Sequence, residues 1–157
     1  MSADDIAAMA AIAARVHPDF PESSDVFAER QRLAPAGCLM LGAGDAAEGY
    51  VLSHPWTLAS PPALDTLLGA LPAAPDCWYL HDLALLPSTR GAGLGPAAID
   101  LLAARARAAG LPRMALVAVN GSVPFWRRQG FDPAPPPAKG LAGYGANAVF
   151  MTRGLAA

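Results

Sequence analysis

The sequence predicts an α/β fold on three observations. Two short apolar runs, Cys38 to Leu41 and Tyr50 to Ser53, flank a Gly-, Ala- and acid-rich segment as an antiparallel hairpin would. Two buried-strand patterns, Cys77 to Leu86 and Met114 to Val119, bracket a glycine turn and a long helical stripe, which calls for parallel pairing through a right-handed crossover. A further helical pattern opens the chain. At 157 residues with no repeat, the expectation is one domain spanning 1–157.

The first helix follows Ser2-Ala3-Asp4-Asp5, read as a capping box, and places Ile6, Met9, Ala13 and Val16 at helical spacing until Pro18. A second helix starts near Ser24 or Asp25, carries Val26, Phe27, Arg30 and Leu33, and breaks at Pro35-Ala36-Gly37. Pro55, Pro61 and Pro62 are expected to interrupt any element there, with a short helix over Ala63 to Leu71 stopped by Pro72. After the loop Ser88 to Gly95, Pro96 suits a first helical position. Ile99, Leu102, Ala103 and Ala106 give the inward stripe, Arg105 and Arg107 suit the negative end, and Gly110 suits the cap. Val123 to Gln129 reads as a short helix ended by Gly130, Asp132 to Pro137 as a loop, and Asn147 to Thr152 as a last strand.

Composition removes several function classes. The chain is 54% hydrophobic and 15% charged, as a packed globule is, and its net charge of −2 without a basic run argues against a nucleic-acid partner. No apolar stretch reaches the length of a spanning helix and the N-terminus carries Asp4 and Asp5, so neither a membrane nor export is expected and the location is read as cytoplasmic. Cys38 and Cys77 have no His or Cys at ligand spacing. They read as buried free thiols, and no metal is expected.

Arg90-Gly91-Ala92-Gly93-Leu94-Gly95 follows a buried strand and precedes a helix. Its three glycines let backbone N–H groups converge on an anion, and Arg90 adds a charge at the rim. A dinucleotide fingerprint starting at Gly91 would need glycine where Pro96 stands, and a Walker loop would need Gly-Lys-Ser/Thr, whereas Lys139 is remote. The remaining pattern, Arg-x-x-Gly-x-Gly at Arg90, Gly93 and Gly95, resembles the acyl-CoA motif of the GNAT superfamily. Leu83-Ala84-Leu85-Leu86-Pro87 before it resembles the family's strand and proline. Asn120 and Phe125-Trp126-Arg127-Arg128-Gln129-Gly130-Phe131 resemble its second signature.

The resemblance implies a central mixed, mostly antiparallel sheet flanked by helices, with the family's fourth and fifth strands, here Cys77–Leu86 and Met114–Val119, splayed apart. It implies acetyl-CoA (coenzyme A) as cofactor and acetyl transfer to the amine of a small molecule or peptide. The backbone of Leu83, Ala84 and Leu85 would pair with the pantetheine arm, and a bulge near Ala84 would free an N–H toward the thioester oxygen. The amides of Arg90, Gly91, Ala92, Gly93, Leu94 and Gly95 would hold the pyrophosphate, with Asn120 near the arm and Trp126 a cofactor wall or core residue.

Direct transfer requires a base for the amine and an acid for the departing thiolate. A regular strand puts Tyr79, His81 and Leu83 on one face and Asp82 on the other. The family places a basic residue at the position of Tyr79 or His81. His81 is therefore the candidate base, or a histidine filling a polar corner of the cleft. Trp126 stands where many relatives carry a tyrosine acid, and indole cannot protonate a thiolate. Tyr144 is the replacement candidate, or a packing tyrosine in its glycine turn. The loop His17-Pro18-Asp19-Phe20-Pro21-Glu22 would close the acceptor pocket, with Asp19 and Glu22 solvated or attracting a cationic amine. The missing tyrosine leaves open a CoA-binding regulatory module without turnover. A homodimer is possible.

Overall fold

The computed structural model describes residue 2, residues 4–141 and residues 143–156. Two helices, α1 (Asp5–Val16) and α2 (Ser24–Leu33), lead into an antiparallel hairpin of β1 (Cys38–Leu41) and β2 (Gly49–Trp56). Then come β3 (Cys77–Leu85), α3 (Leu94–Ala108), β4 (Arg113–Ala118), α4 (Val123–Arg128) and the strands β5 (Asp132–Pro133) and β6 (Val149–Gly154). The sheet order is β1-β2-β3-β4-β6-β5. Among the described residues every pairing is antiparallel except β3 with β4, as the crossover through α3 requires. Two strands, not three, precede β3 among the described residues, so the strands expected as fourth and fifth are third and fourth in this chain.

Helices cover both faces of the sheet. Ile99, Leu102, Ala103 and Ala106 of α3 pack with Val51, Trp78, Leu80, Met114 and Leu116, and fully burying each large apolar side chain contributes about 1.5–3 kcal/mol. Met9, Ile12 and Phe27 of α1 and α2 pack with Tyr50, Leu52 and Ala84 on the opposite face. No helix among the described residues is long and apolar enough to cross a membrane. α3 ends as expected: Gly110 has φ +72, its N–H donates to the Arg107 carbonyl, and the Leu111 N–H donates to the Ala106 carbonyl.

Several expectations are corrected. The capping box is described only in part, since Ala3 lies outside the described residues. Asp5 accepts the Ser2 backbone N–H, and the N-cap is Asp4. Pro55 does not end β2 but pairs opposite Trp78; β1 stops at Leu52's partner, so no strand on that side asks Pro55 for an N–H. Ala63 to Leu71 is not helical. Its backbone is bonded instead by side chains: Arg30 Nη2 donates to the Thr66 carbonyl, Glu29 accepts from the N–H groups of Leu68 and Gly69, and Glu22 accepts from that of Asp65. α3 begins at Leu94, which makes Pro96 its third residue. Asp132–Pro133, read as loop, forms the short β5, and the last strand is shifted to Val149–Gly154.

Candidate active site

β3 and β4 pair only over Trp78–Leu80 and Met114–Leu116, although β3 runs on to Leu85 and β4 to Ala118. The strands therefore splay. The cause lies in the β2–β3 register, where Leu52 faces Asp82 but Ser53 faces Leu80, so His81 is an extra residue. Such a bulge bends its strand, and this one sits where pairing to β4 ends. It falls at His81, not near Ala84. By the alternation of the ladder, with Leu86 N–H bonded to the Glu48 carbonyl, Ala84 directs its backbone to β2 while Leu83 and Leu85 direct theirs toward the gap.

The gap opens into a cleft of about 720 Å³ that reaches from the end of α1 to the start of α3. At the α3 end, Gly91 and Gly93 adopt φ of +89 and +81, which L side chains rarely take. The amides of Gly91, Gly93, Leu94 and Gly95 meet no backbone acceptor among the described residues. Together with the start of a 15-residue helix they form an anion cradle. Two other amides of the turn are occupied, since Ala92 N–H donates to the Thr89 carbonyl and Arg90 N–H to that of Pro87. Arg90 Nε donates to the Leu85 carbonyl at 3.3 Å, tying the rim cation to the strand end. A Cβ on Gly95 would lie 3.4 Å from both Leu85 Cδ1 and Phe125 Cζ, so glycine also lets helix and strand approach there.

At the other end, the bulge turns His81 and Asp82 toward the α1–α2 loop. His81 Nε2 lies 2.8 and 3.0 Å from the two Glu22 oxygens. Glu22, expected as a solvated loop acid, has a side chain only 4% exposed; Asp19 is exposed. Asp82, expected on the opposite face, accepts a hydrogen bond from the Tyr50 hydroxyl and lies 2.9 Å from His17 Nε2. Burial of His17 disfavours its charged form, but contact with the Asp82 carboxylate outweighs this and raises its pKa. Leu83, expected beside Tyr79 and His81, packs instead with the α3-face cluster of Trp78 and Leu80.

The tyrosines form a chain. Tyr144 is buried and donates to the Pro62 carbonyl at 2.6 Å, while burial pushes its phenol up to about 12. Tyr79, also buried, has its hydroxyl against that of Tyr144, and burial holds its pKa well above the usual phenol value. His54 stacks beside this group, its ring centroid 5.8 Å from Tyr79 and 6.5 Å from His81. It is fully buried, its Nδ1 lies 3.1 Å from the Pro55 carbonyl, and burial lowers its pKa to about 3, so the ring is neutral.

Of the residues singled out in the sequence, His81, Leu83, Leu85, Arg90, Gly91, Gly93, Leu94, Gly95, Asn120, Trp126 and Tyr144 line this one cleft. Tyr79, Ala84 and Ala92 do not. Asn120 sits at the rim with φ +54, and Trp126 is 8% exposed, packed edge-on against Phe125 and Phe131. Sequence reasoning missed the roles of His17, His54 and Tyr50, and the pairing of Glu22 with His81. The Pro18 and Pro21 that stiffen the loop between His17 and Glu22 were the one local sign that it is held in place.

Residues 6–131 match the model of the acetyltransferase (GNAT) family, and the chain belongs to that family. A search of curated protein sequences finds no match. Among solved structures, a GNAT-like decarboxylase, GphF, in complex with isobutyryl-CoA is similar with a TM-score of 0.81 and 17% identity, over 99% of this chain and 97% of that one. Ard1 from Thermoplasma volcanium is similar at 0.76 and 15%, over 100% and 95%. The ribosomal-protein-S18-alanine N-acetyltransferase from Escherichia coli is similar at 0.68 and 19%, over 100% and 92%. At these identities the likeness is one of fold.

Proposed function

We propose that the chain is an N-acetyltransferase that moves an acetyl group from acetyl-CoA to the amine of a small molecule or peptide, by direct attack in a ternary complex. One observation carries this reading. A single cleft joins the open amides at the start of α3 to a carboxylate-paired histidine beside the splayed strands. A 2-anion pyrophosphate fits the cradle, which offers four amides, a helix terminus and the Arg90 guanidinium without a competing side chain. The gap-facing backbone of Leu83 and Leu85 suits an extended amide-bearing arm, as in strand addition. Ala92 serves by fixing the turn and Ala84 by anchoring β3 to β2.

Acetyl-CoA supplies, when bound, an acyl group already activated as a thioester. His81 takes the proton of the amine, with Glu22 holding the ring in place through Nε2. Asn120 and Trp126 flank the arm, and Tyr144 closes the acceptor side with Tyr79 buried behind it. The test is acetyl-CoA turnover by wild type and His81→Ala. The variant should lose about a hundredfold or more in kcat while binding acetyl-CoA as wild type does.

A second reading, a CoA-binding module without turnover, is favoured by the burial of Trp126 at the family's tyrosine position and by the commitment of Tyr144 to Pro62. Binding without release of free CoA over a panel of amines would decide for it.

A further inference from the structure

The cofactor accounts for only part of the cleft. In the proposed function acetyl-CoA takes the cradle before α3 and the gap-facing backbone of Leu83 and Leu85, which leaves the end at the α1–α2 loop for the acceptor amine. Beside His81, the walls there are Val16, His17, Phe20, Glu22, Asp82 and Tyr144. What the polar groups among them can still bind decides what fits. Glu22 spends both oxygens on His81 Nε2, at 2.8 and 3.0 Å, and one of them also accepts the Asp65 N–H at 2.9 Å. Asp82 accepts the Tyr50 hydroxyl on one oxygen, and the other lies 2.9 Å from His17 Nε2. The Tyr144 hydroxyl is spent on the Pro62 carbonyl. Asp19, the remaining acid of the loop, is exposed and is not part of the wall. A second ammonium, a hydroxyl or a peptide group on the acceptor would break one of these pairs or go unpaired, and either is costly. Val16, Phe20 and the Tyr144 ring favour an apolar body instead.

Next to this end lies a second cavity of about 230 Å³, walled by Ala10, Ala13 and Ala14 of α1 and by Pro18 and Pro21. The two cavities have His17, Phe20 and Glu22 in common, so among the described residues these three form the partition. His17 and Glu22 are fixed by their pairs with Asp82 and His81. The Phe20 side chain has no polar group to fix it. Its place is set by its backbone N–H, which donates to the His17 carbonyl at 3.1 Å, and by the stiff prolines around it. Phe20 is thus the part of the partition that can be removed without breaking an ion pair.

We infer that the acceptor is a short primary amine with an apolar, uncharged body, and that Phe20 sets its length by closing the cleft off from the alanine-walled cavity. The inference rests on the acetyltransferase reading and narrows it to a small molecule. In the transfer the amine nitrogen bonds to the acetyl carbon and the carbon–sulfur bond breaks toward sulfur. One proton passes from nitrogen to sulfur, so each acetylation releases one free CoA and needs no other reactant. An apolar pocket of fixed length tells one methylene from the next by about tenfold or more.

The experiment measures free-CoA release from acetyl-CoA with pentylamine, with the amino alcohol and the diamine of the same length, with octylamine, and with a peptide bearing a free N-terminus. Wild-type kcat/KM for pentylamine should exceed that for each of the others by about tenfold or more. Phe20→Ala joins the two cavities, so octylamine should gain about tenfold on pentylamine, with acetyl-CoA affinity kept in calorimetry. Ala14→Leu in that background narrows the second cavity again and should reverse the gain. Turnover of the diamine, the amino alcohol or the peptide as fast as that of pentylamine would overturn the inference alone, a readout on wild type that holds even where the variants fold poorly. So would an unchanged chain-length preference in a Phe20→Ala protein that binds acetyl-CoA as wild type does. A wild type that binds acetyl-CoA and acetylates no amine would instead overturn the reading beneath it.

Discussion

His81 and Asp82 are neighbours on a strand, and regular alternation sends neighbours to opposite faces. One extra residue in β3 cancels that rule, so both side chains reach the loop between α1 and α2. The same device explains why His81 was visible in the sequence and its partners were not. A histidine within an apolar strand stands out, whereas the burial of Glu22 comes from Asp65 and His81, 43 and 59 residues away. His54 was silent for the same reason, since the packing that neutralises it is made by β3. A prediction at this scale concerns that ring. Its folded pKa of about 3 lies below the unfolded value of 6.5, so the stability it confers is present above pH 6.5. It is lost as pH falls toward 3, at about 1.4 kcal/mol per pH unit from one extra proton bound by the unfolded chain. Thermal melts from pH 7 to pH 4 should show that slope, and His54→Phe should flatten it; parallel curves would reject it.

Among elements, α3 and its glycine turn were the most legible, because their signals are local: a stripe at helical spacing, basic residues and glycine at the end, three glycines at the start. Even so, a helix placed to begin at Pro96 begins at Leu94, because Gly93 in the left-handed region can serve as its cap. Ala63 to Leu71 failed for the opposite reason. Its apolar spacing is helical, but α2 and Glu22 capture its backbone groups through side chains that no local pattern reveals. The hairpin carries a testable contact beneath the cleft. A Cβ on Gly49 would lie 2.5 Å from the Ala84 carbonyl oxygen and 2.7 Å from Leu85 Cδ2, so β2 cannot accept one without displacing β3. Gly49→Ala should cost about 1–3 kcal/mol in denaturant unfolding and weaken acetyl-CoA binding by moving Leu85. Wild-type stability in the variant would show that the two strands part more readily than their register implies.

Across the whole molecule, the parts of the site come from places far apart in the chain. α1 brings His17, the following loop Glu22, β3 the bulge, the turn before α3 the amides, and the segment before β6 Tyr144. What gathers them is the one parallel pairing among the described residues of an otherwise antiparallel sheet, which stops after Leu80 and leaves the gap that the cleft occupies. The order of elements was readable from patterning, and with it the fold; the convergence of the loop on the bulge was not, because it depends on register. The account stands or falls on what the cradle at Gly91 to Gly95 holds. Calorimetric titration with acetyl-CoA of wild type and Gly93→Asp tests it most directly. Aspartate is among the few side chains that visit the left-handed backbone, at a strain of about 1–2 kcal/mol, and no atom lies within 4 Å of its Cβ, so the variant should fold with somewhat lower stability. Its carboxylate would stand where the pyrophosphate belongs. Wild type should bind one acetyl-CoA per chain and Gly93→Asp at least tenfold more weakly, whereas no binding to wild type, or equal binding to both, would contradict the account.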